Sequence, residues 1–161
     1  MSGKSLLSLA LFLAACFSAA IFGSLFTAQS VREWYPGLQK PAGTPPPWVF
    51  GPVWTVLYLL MAIAGWQVWE RARGWSGARL ALGLFFLQLA LNALWSVLFF
   101  GLRNPAAGLA EITILWLAIL ATVIAFFPIS RLAGWLMLPY LLWVSYASYL
   151  NFGIWRMIRS S

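Results

Sequence analysis

The chain has 161 residues, 63% of them hydrophobic and only 8% charged, with a net charge of +7. Soluble domains are roughly a quarter charged, so this composition excludes an ordinary soluble protein. The ten Lys and Arg stand singly or in small groups between apolar blocks, which argues against nucleic-acid binding and fits charges at membrane-helix ends.

Apolar stretches of about 20 residues recur, each long enough to cross a hydrocarbon core of about 30 Å. The ten-residue alternation of a membrane barrel is missing, so the reading is an all-α integral membrane protein with several passes. There is no histidine and the one cysteine is Cys16. A disulfide framework and a Cys/His metal centre are thereby excluded, and no cofactor is required. The chain reads as a single domain over 1–161, with spans near 6–26, 47–69, 80–101, 105–127 and 133–154 and a loop over 27–46.

The first span follows Lys4, and Leu13-Ala14-Ala15-Cys16 imitates a lipoprotein signal. The apolar run continues to Phe26, where a cleaved signal gives way to polar residues, so a retained helix is expected. Ala15, Ala19 and Gly23 offer a smooth face for helix packing. The loop that follows carries Arg32, Glu33 and Lys40. Pro36-Gly37 marks a turn, and the prolines at 41 and 45–47 force extended geometry. Trp34, Tyr35, Leu38 and Trp48 let it pack as a folded lid.

In the second span, Pro47 suits the helix start and Pro52 is expected to bend the helix. Trp54, Tyr58 and Met61 share a face. The third span sets Gln88 and Asn92 at helical spacing, with Trp95 and Ser96 a turn later. Buried amides in lipid face the bundle interior, either to bond between helices or to anchor a ligand. Asn104-Pro105 caps the fourth span. Its Glu111 is the one acid inside an apolar block, and the nearby helix start is reason enough for it to be tolerated. The fifth span sets Tyr140, Trp143, Ala147 and Asn151 along one stripe and is expected to bend at Pro139. Trp48, Trp69, Trp75, Trp135 and Trp155, near helix ends, read as interfacial anchors. With five spans, Lys and Arg divide five to five between the two sides, so the positive-inside rule assigns no orientation.

Three blocks, LQKPAGTPPPWVFGPVWTVLY, QLALNALWSVLFFG and LPYLLWVSYASYLNFGIWR, resemble the TspO/MBR family of tryptophan-rich sensory proteins, and the resemblance covers nearly the whole chain. It implies a five-helix bundle, often a homodimer, in a bacterial membrane whose identity (inner or outer) stays open. The first loop would close a pocket for protoporphyrin IX and for benzodiazepine and isoquinoline-type ligands. Carried over by motif, Tyr35, Pro45, Trp54, Asn92, Trp95, Trp143 and Ala147 line that pocket. Tyr58, Gln88 and Tyr140 join them as candidates from the stripes above. Arg32 or Lys40 would meet a porphyrin propionate. The family also implies an alternative, light-dependent oxidation of bound porphyrin, for which Trp54 and Trp143 are the redox candidates. An ion-coupled transporter is the third reading, resting on Glu111 alone.

The chain departs from the family in two places. Gly43 stands near where many relatives carry a tryptophan, so a looser lid is expected. The sterol motif of animal members needs a tyrosine no more than six positions before the terminal basic residue. Here Phe152 takes its place and Tyr149 lies seven before Arg156, which argues against cholesterol as a partner. For a dimer face, Gly77, Ala81 and Gly83 in the third span give only a short small-residue patch.

Overall fold

The computed structural model describes residues 1–161 and is helical throughout. Five long helices, α1 (Gly3–Glu33), α2 (Phe50–Ala72), α3 (Arg79–Ser96), α4 (Pro105–Phe126) and α5 (Arg131–Ser160), are joined by short connections. The first four, by length and composition, can each cross a membrane. The fifth has 30 residues, about 45 Å at 1.5 Å each, and carries the aromatic and polar stripe that lowers its apolar content. The protein is an all-α membrane bundle.

The helices close into a ring in the order α1, α2, α5, α4, α3. At one end the ring is closed by interlocking aromatic side chains. Phe12 of α1 enters a notch at Gly65 of α2, where a Cβ would fall 2.8 Å from its ring. Phe12 also meets Phe85 edge-on at 5.9 Å, and Phe85 stacks on Phe126 at 5.8 Å. Trp66 Nε1 donates to the Ser5 carbonyl at 3.2 Å, tying α1 to α2 at this end.

Helix starts follow the sequence signals. Asn104 Oδ1 accepts from Ala107 N, and Ser130 Oγ accepts from Ala133 N, each satisfying a donor of the first turn. Two expectations are corrected. The segment 27–33 belongs to α1, not to the loop. Its polar residues contain no Gly or Pro and are compatible with helix, and Gln29 Nε2 donates to Glu33 Oε2 one turn on. Polarity there marks the helix leaving the lipid. Pro52 does not interrupt α2, because the α-helical hydrogen bonding begins only at Phe50, after a 3₁₀ turn over Pro47–Val49. A proline in the first turn removes a donor that has no helical acceptor.

At the other end, α3 does not stop at Ser96 but passes into a π-helical turn over Val97–Gly101. The second half of α1 leans on this turn. Gly23 faces Ser96, Gly101 faces the Phe26 ring, and Ser30 Oγ donates to the Phe100 carbonyl. Arg103 Nε donates to Ser30 Oγ at 3.3 Å, and its guanidinium pairs with Glu33 at 3.4 Å. The pair is exposed and adds little, whereas the Ser30 bond is buried. Ser30→Ala is therefore expected to lower stability by about 1–2 kcal/mol in detergent unfolding, with Glu33→Ala within about 0.5 kcal/mol of wild type.

The lid spans 34–49. A 3₁₀ turn at Tyr35–Gly37 buries Tyr35 against Phe50 and Phe100. Its tip rests on α5. Tyr149 Oη donates to the Ala42 carbonyl at 3.0 Å, and Pro41 fills a notch at Gly153, whose Cβ would fall 2.7 Å from the proline ring. Gly43 has φ +85°, and a Cβ there would lie 3.2 Å from the Tyr146 hydroxyl. The site of the missing tryptophan therefore abuts a tyrosine of α5.

Candidate functional site

Between the packed end and the lid, the ring encloses a cavity of about 620 Å³. This is within the usual range for small-molecule pockets, about 300–1,000 Å³. Its walls come from α1, α2, the α3–π segment and α5; α4 contributes none.

α2 supplies Phe50, Trp54 and Tyr58, one turn apart each. Trp54 lies 5.7 Å from Tyr58 and Phe50 lies 6.1 Å from Trp143. The π turn supplies Phe99 and Phe100, whose rings meet edge-on at 4.8 Å, and Trp95 stacks on Phe99 at 5.1 Å. α5 supplies Trp143, then Ala147, Asn151 and Ile154. α1 faces them with Phe17, Ala20, Gly23, Thr27 and Val31 and ends at Arg32. The result is a slot with aromatic rings on three walls and a fourth that, beside Phe17, Ile21 and Val31, is made of small side chains. Such rings present large rigid faces, and offset or edge contacts add about 0.5–1.5 kcal/mol beyond area burial.

Most polar groups of the wall are already committed. Asn92 Nδ2 donates to Tyr58 Oη at 3.1 Å. Trp95 Nε1 donates to Asn151 Oδ1 at 3.0 Å, while Asn151 Nδ2 donates to the Pro105 carbonyl at 2.8 Å. Thr27 and Thr55 bond back to carbonyls of their own helices. The Trp143 indole N–H is buried without a protein partner. It can donate to a ligand oxygen, as can the Tyr58 hydroxyl, which the Asn92 bond uses only as an acceptor. At the lid, burial pushes the Tyr35 hydroxyl up to about 12, so it remains a neutral donor at physiological pH. Arg32 stands exposed at the end of the α1 wall, outside the ion pair of its neighbour Glu33.

Of the residues singled out from sequence, Arg32, Tyr35, Trp54, Tyr58, Asn92, Trp95, Trp143 and Ala147 line this one cavity. Four others do not. Pro45 stays in the outer lid, and Pro47 reaches the cavity in its place. Gln88 lies one turn deeper than Asn92, fully buried, with Nε2 3.8 Å from Met61 Sδ. Tyr140 is fully buried behind Trp54, 6.2 Å away edge-on. Lys40 folds back on the lid, its Nζ donating to the Leu38 carbonyl at 3.0 Å and lying 4.7 Å from the Tyr35 ring centre.

Sequence reasoning missed the α1 wall, the two π-turn phenylalanines and the role of Asn151 as a bridge. The α1 face was signalled by small residues at positions 20, 23 and 27, next to the stripe at 15, 19 and 23. A π turn has no comparable sequence signal. Glu111 is buried on α4, away from the cavity, with neither carboxylate oxygen bonded to protein. A buried carboxylate without partners costs stability. Glu111→Leu is expected to raise Tm in detergent by about 2–4 °C for each kcal/mol recovered; a fall would show that the carboxylate has a partner.

The TspO/MBR family profile matches residues 12–156. The chain is 46% identical over 153 residues to the tryptophan-rich protein TspO of Archaeoglobus fulgidus, covering 95% of this chain and 98% of the relative. It is 43% identical over 156 residues to the protein of the same name from Chlorobaculum tepidum, covering 96% and 98%. The human translocator protein is 41% identical over 135 residues, covering 83% of this chain and 80% of its own.

Proposed function

The chain belongs to the TspO/MBR family, and on that premise we propose that it binds a planar, conjugated, carboxylate-bearing ligand of the porphyrin class in the cavity, in order to sense, sequester or move it across or within a bacterial membrane. The observation that carries the reading is the slot itself, in which Trp54, Trp95, Phe99 and Trp143 surround space faced by Ala147 and the small residues of α1. Flat faces suit a flat ring. Trp143 Nε1 and Tyr58 Oη offer donors inside the slot, and Arg32 offers a cation at its mouth for a propionate. Smaller aromatic amides of the benzodiazepine and isoquinoline type fit the same description without the charge.

Titration of the purified protein with protoporphyrin IX in darkness tests this, with tryptophan fluorescence as the readout. Saturable quenching is expected. Arg32→Gln should weaken binding about 3- to 10-fold, and the porphyrin dimethyl ester should lose that sensitivity. A wild type without saturable quenching overturns the assignment. Illumination followed by product analysis tests the oxidative alternative, in which the wall indoles Trp54 and Trp143 would be the electron donors. Ion-coupled transport has no support in the geometry, because Glu111 lies off the cavity.

A further inference from the structure

The cavity has two boundaries through which a ligand could pass. One is the lid. The other is the line where α1 and α2 part. These helices touch at the packed end through Phe12 and Gly65, and the rings of Phe17 and Tyr58 meet further along, 6.3 Å apart. Beyond that level α1 leans on the π turn instead, through Gly23, Phe26 and Ser30. Between the second half of α1 and the first half of α2 the cavity reaches the surface, as a slit lined by exposed residues.

Its edges are cavity-lining residues that are themselves exposed: Ile21, Ser24 and Ala28 on α1, Gly51 and Thr55 on α2. Apart from Ile21 they are small. Both hydroxyls are turned back on their own helices, Ser24 Oγ donating to the Ile21 carbonyl at 2.7 Å and Thr55 Oγ1 to the Gly51 carbonyl at 2.8 Å. The edges therefore hold a ligand by no free donor. Around them the surface is large and apolar, with Leu25 72% and Val56 54% exposed, so the slit faces lipid tails. Arg32 stands at the same end as the exposed close of the α1 wall, where the helix leaves the lipid. The lid, by contrast, is seated on α5 at Pro41, Ala42 and Gly43.

We propose that ligand enters and leaves sideways, through the α1–α2 slit from the bilayer, with the lid staying closed. This rests on the reading of the cavity as a site for a planar amphiphile with an anionic end. Such a molecule lies in a leaflet with its ring system among the tails and its carboxylates at the interface. It can slide between the small edges ring first, keeping its charge near Arg32 and out of the hydrocarbon, where charge is costly. Passage through the lid would instead break the Tyr149 bond and lift Pro41 from its notch.

The test uses full-length protein in phosphatidylcholine vesicles and stopped-flow quenching by protoporphyrin IX. A Cβ at Gly51 meets nothing within 4 Å, so Gly51→Phe can add bulk at the slit edge without a clash at the first atom. It is expected to slow association and dissociation together, each about 10-fold, with Kd within about 3-fold of wild type. Pro41→Cys with Gly153→Cys places two Cβ atoms close enough for a disulfide after a small outward shift, since the Gly153 Cβ would fall 2.9 Å from that of Pro41. Oxidised or reduced, this pair should leave both rates within about 2-fold of wild type. Rates that collapse on oxidation and recover on reduction, with Gly51→Phe unchanged, overturn the proposal and make the lid the gate.

A ligand-free readout separates this from failure of the porphyrin reading. In a Cys16→Ser background, Ala147→Cys is labelled by a pyrene maleimide dissolved in the vesicles. Labelling should slow about 10-fold with Gly51→Phe and hold its rate with Tyr149→Phe. Equal rates with and without Gly51→Phe sink the slit. Should Gly51→Phe instead convert a dimer to a monomer by size, the slit belongs to a subunit interface and the proposal is overturned.

Discussion

Ala147→Trp should abolish protoporphyrin IX binding, raising Kd at least 100-fold, while the protein still folds. Ala147 lies one helical turn from Trp143 on the cavity wall and is half-buried. An indole there projects into the space that the ligand ring would occupy. A hundredfold loss corresponds to about 2.8 kcal/mol, less than a bound ring gains from two or three aromatic contacts together with its buried area. Tm without ligand should change by no more than a few degrees, because the new ring fills a cavity instead of overpacking a core. Fluorescence titration together with a melting curve checks both halves. Retained binding would place the ligand elsewhere.

Asn151→Leu should be the most damaging single polar change, at about 2–4 kcal/mol. The Asn151 amide is 1% exposed and serves two partners, accepting from the Trp95 indole and donating to the carbonyl of Pro105. Leucine leaves the Trp95 indole N–H without its partner, at about 1–3 kcal/mol, and strips the Pro105 carbonyl of the bond it accepts beside that of its own helix, at about 0.5–1.5 kcal/mol. The carbonyl belongs to the first residue of α4, so the bond also fixes where α4 starts against α5. Loss of Trp95 orientation should weaken porphyrin binding several-fold in whatever fraction folds. Detergent denaturation with the titration measures both, and a variant within about 0.5 kcal/mol of wild type would show that water replaces the amide.

How far the sequence anticipates this site depends on the kind of feature. The spans, the Asn104 cap and the shared faces of Trp54 with Tyr58, Asn92 with Trp95, and Trp143 with Ala147 follow from hydrophobic length and helical spacing, which are local; that these faces line a pocket comes from the family resemblance. Gln88 and Tyr140 share those stripes but lie too deep, since spacing assigns a face without assigning a depth. Lys40 illustrates another limit. A lysine on a polar loop reads as a free cation, and only the fold shows its ammonium spent on the carbonyl of Leu38 and the ring of Tyr35. The polar segment 27–33 reads as loop because polarity resembles a break in structure. A helix longer than the bilayer is thick must emerge somewhere, and emerging residues are polar without being irregular. Phe99 and Phe100 enter the site through a backbone event that neither pattern nor propensity records.

That backbone event bears on how the site tolerates changes of length. A π turn accommodates one residue more than the α-helix it interrupts. Substitutions between 97 and 101 alter one side chain each, but loss of any one residue there would let the segment close up as α-helix. Because the turn absorbs that residue, the helix before it would keep its register, and the change would fall on the residues inside the turn. Phe99 and Phe100 would turn away together, and the Phe100 carbonyl would leave Ser30. In a library of single-residue deletions, this stretch should behave as one indivisible unit, five positions with the same phenotype, even where the corresponding point substitutions differ widely.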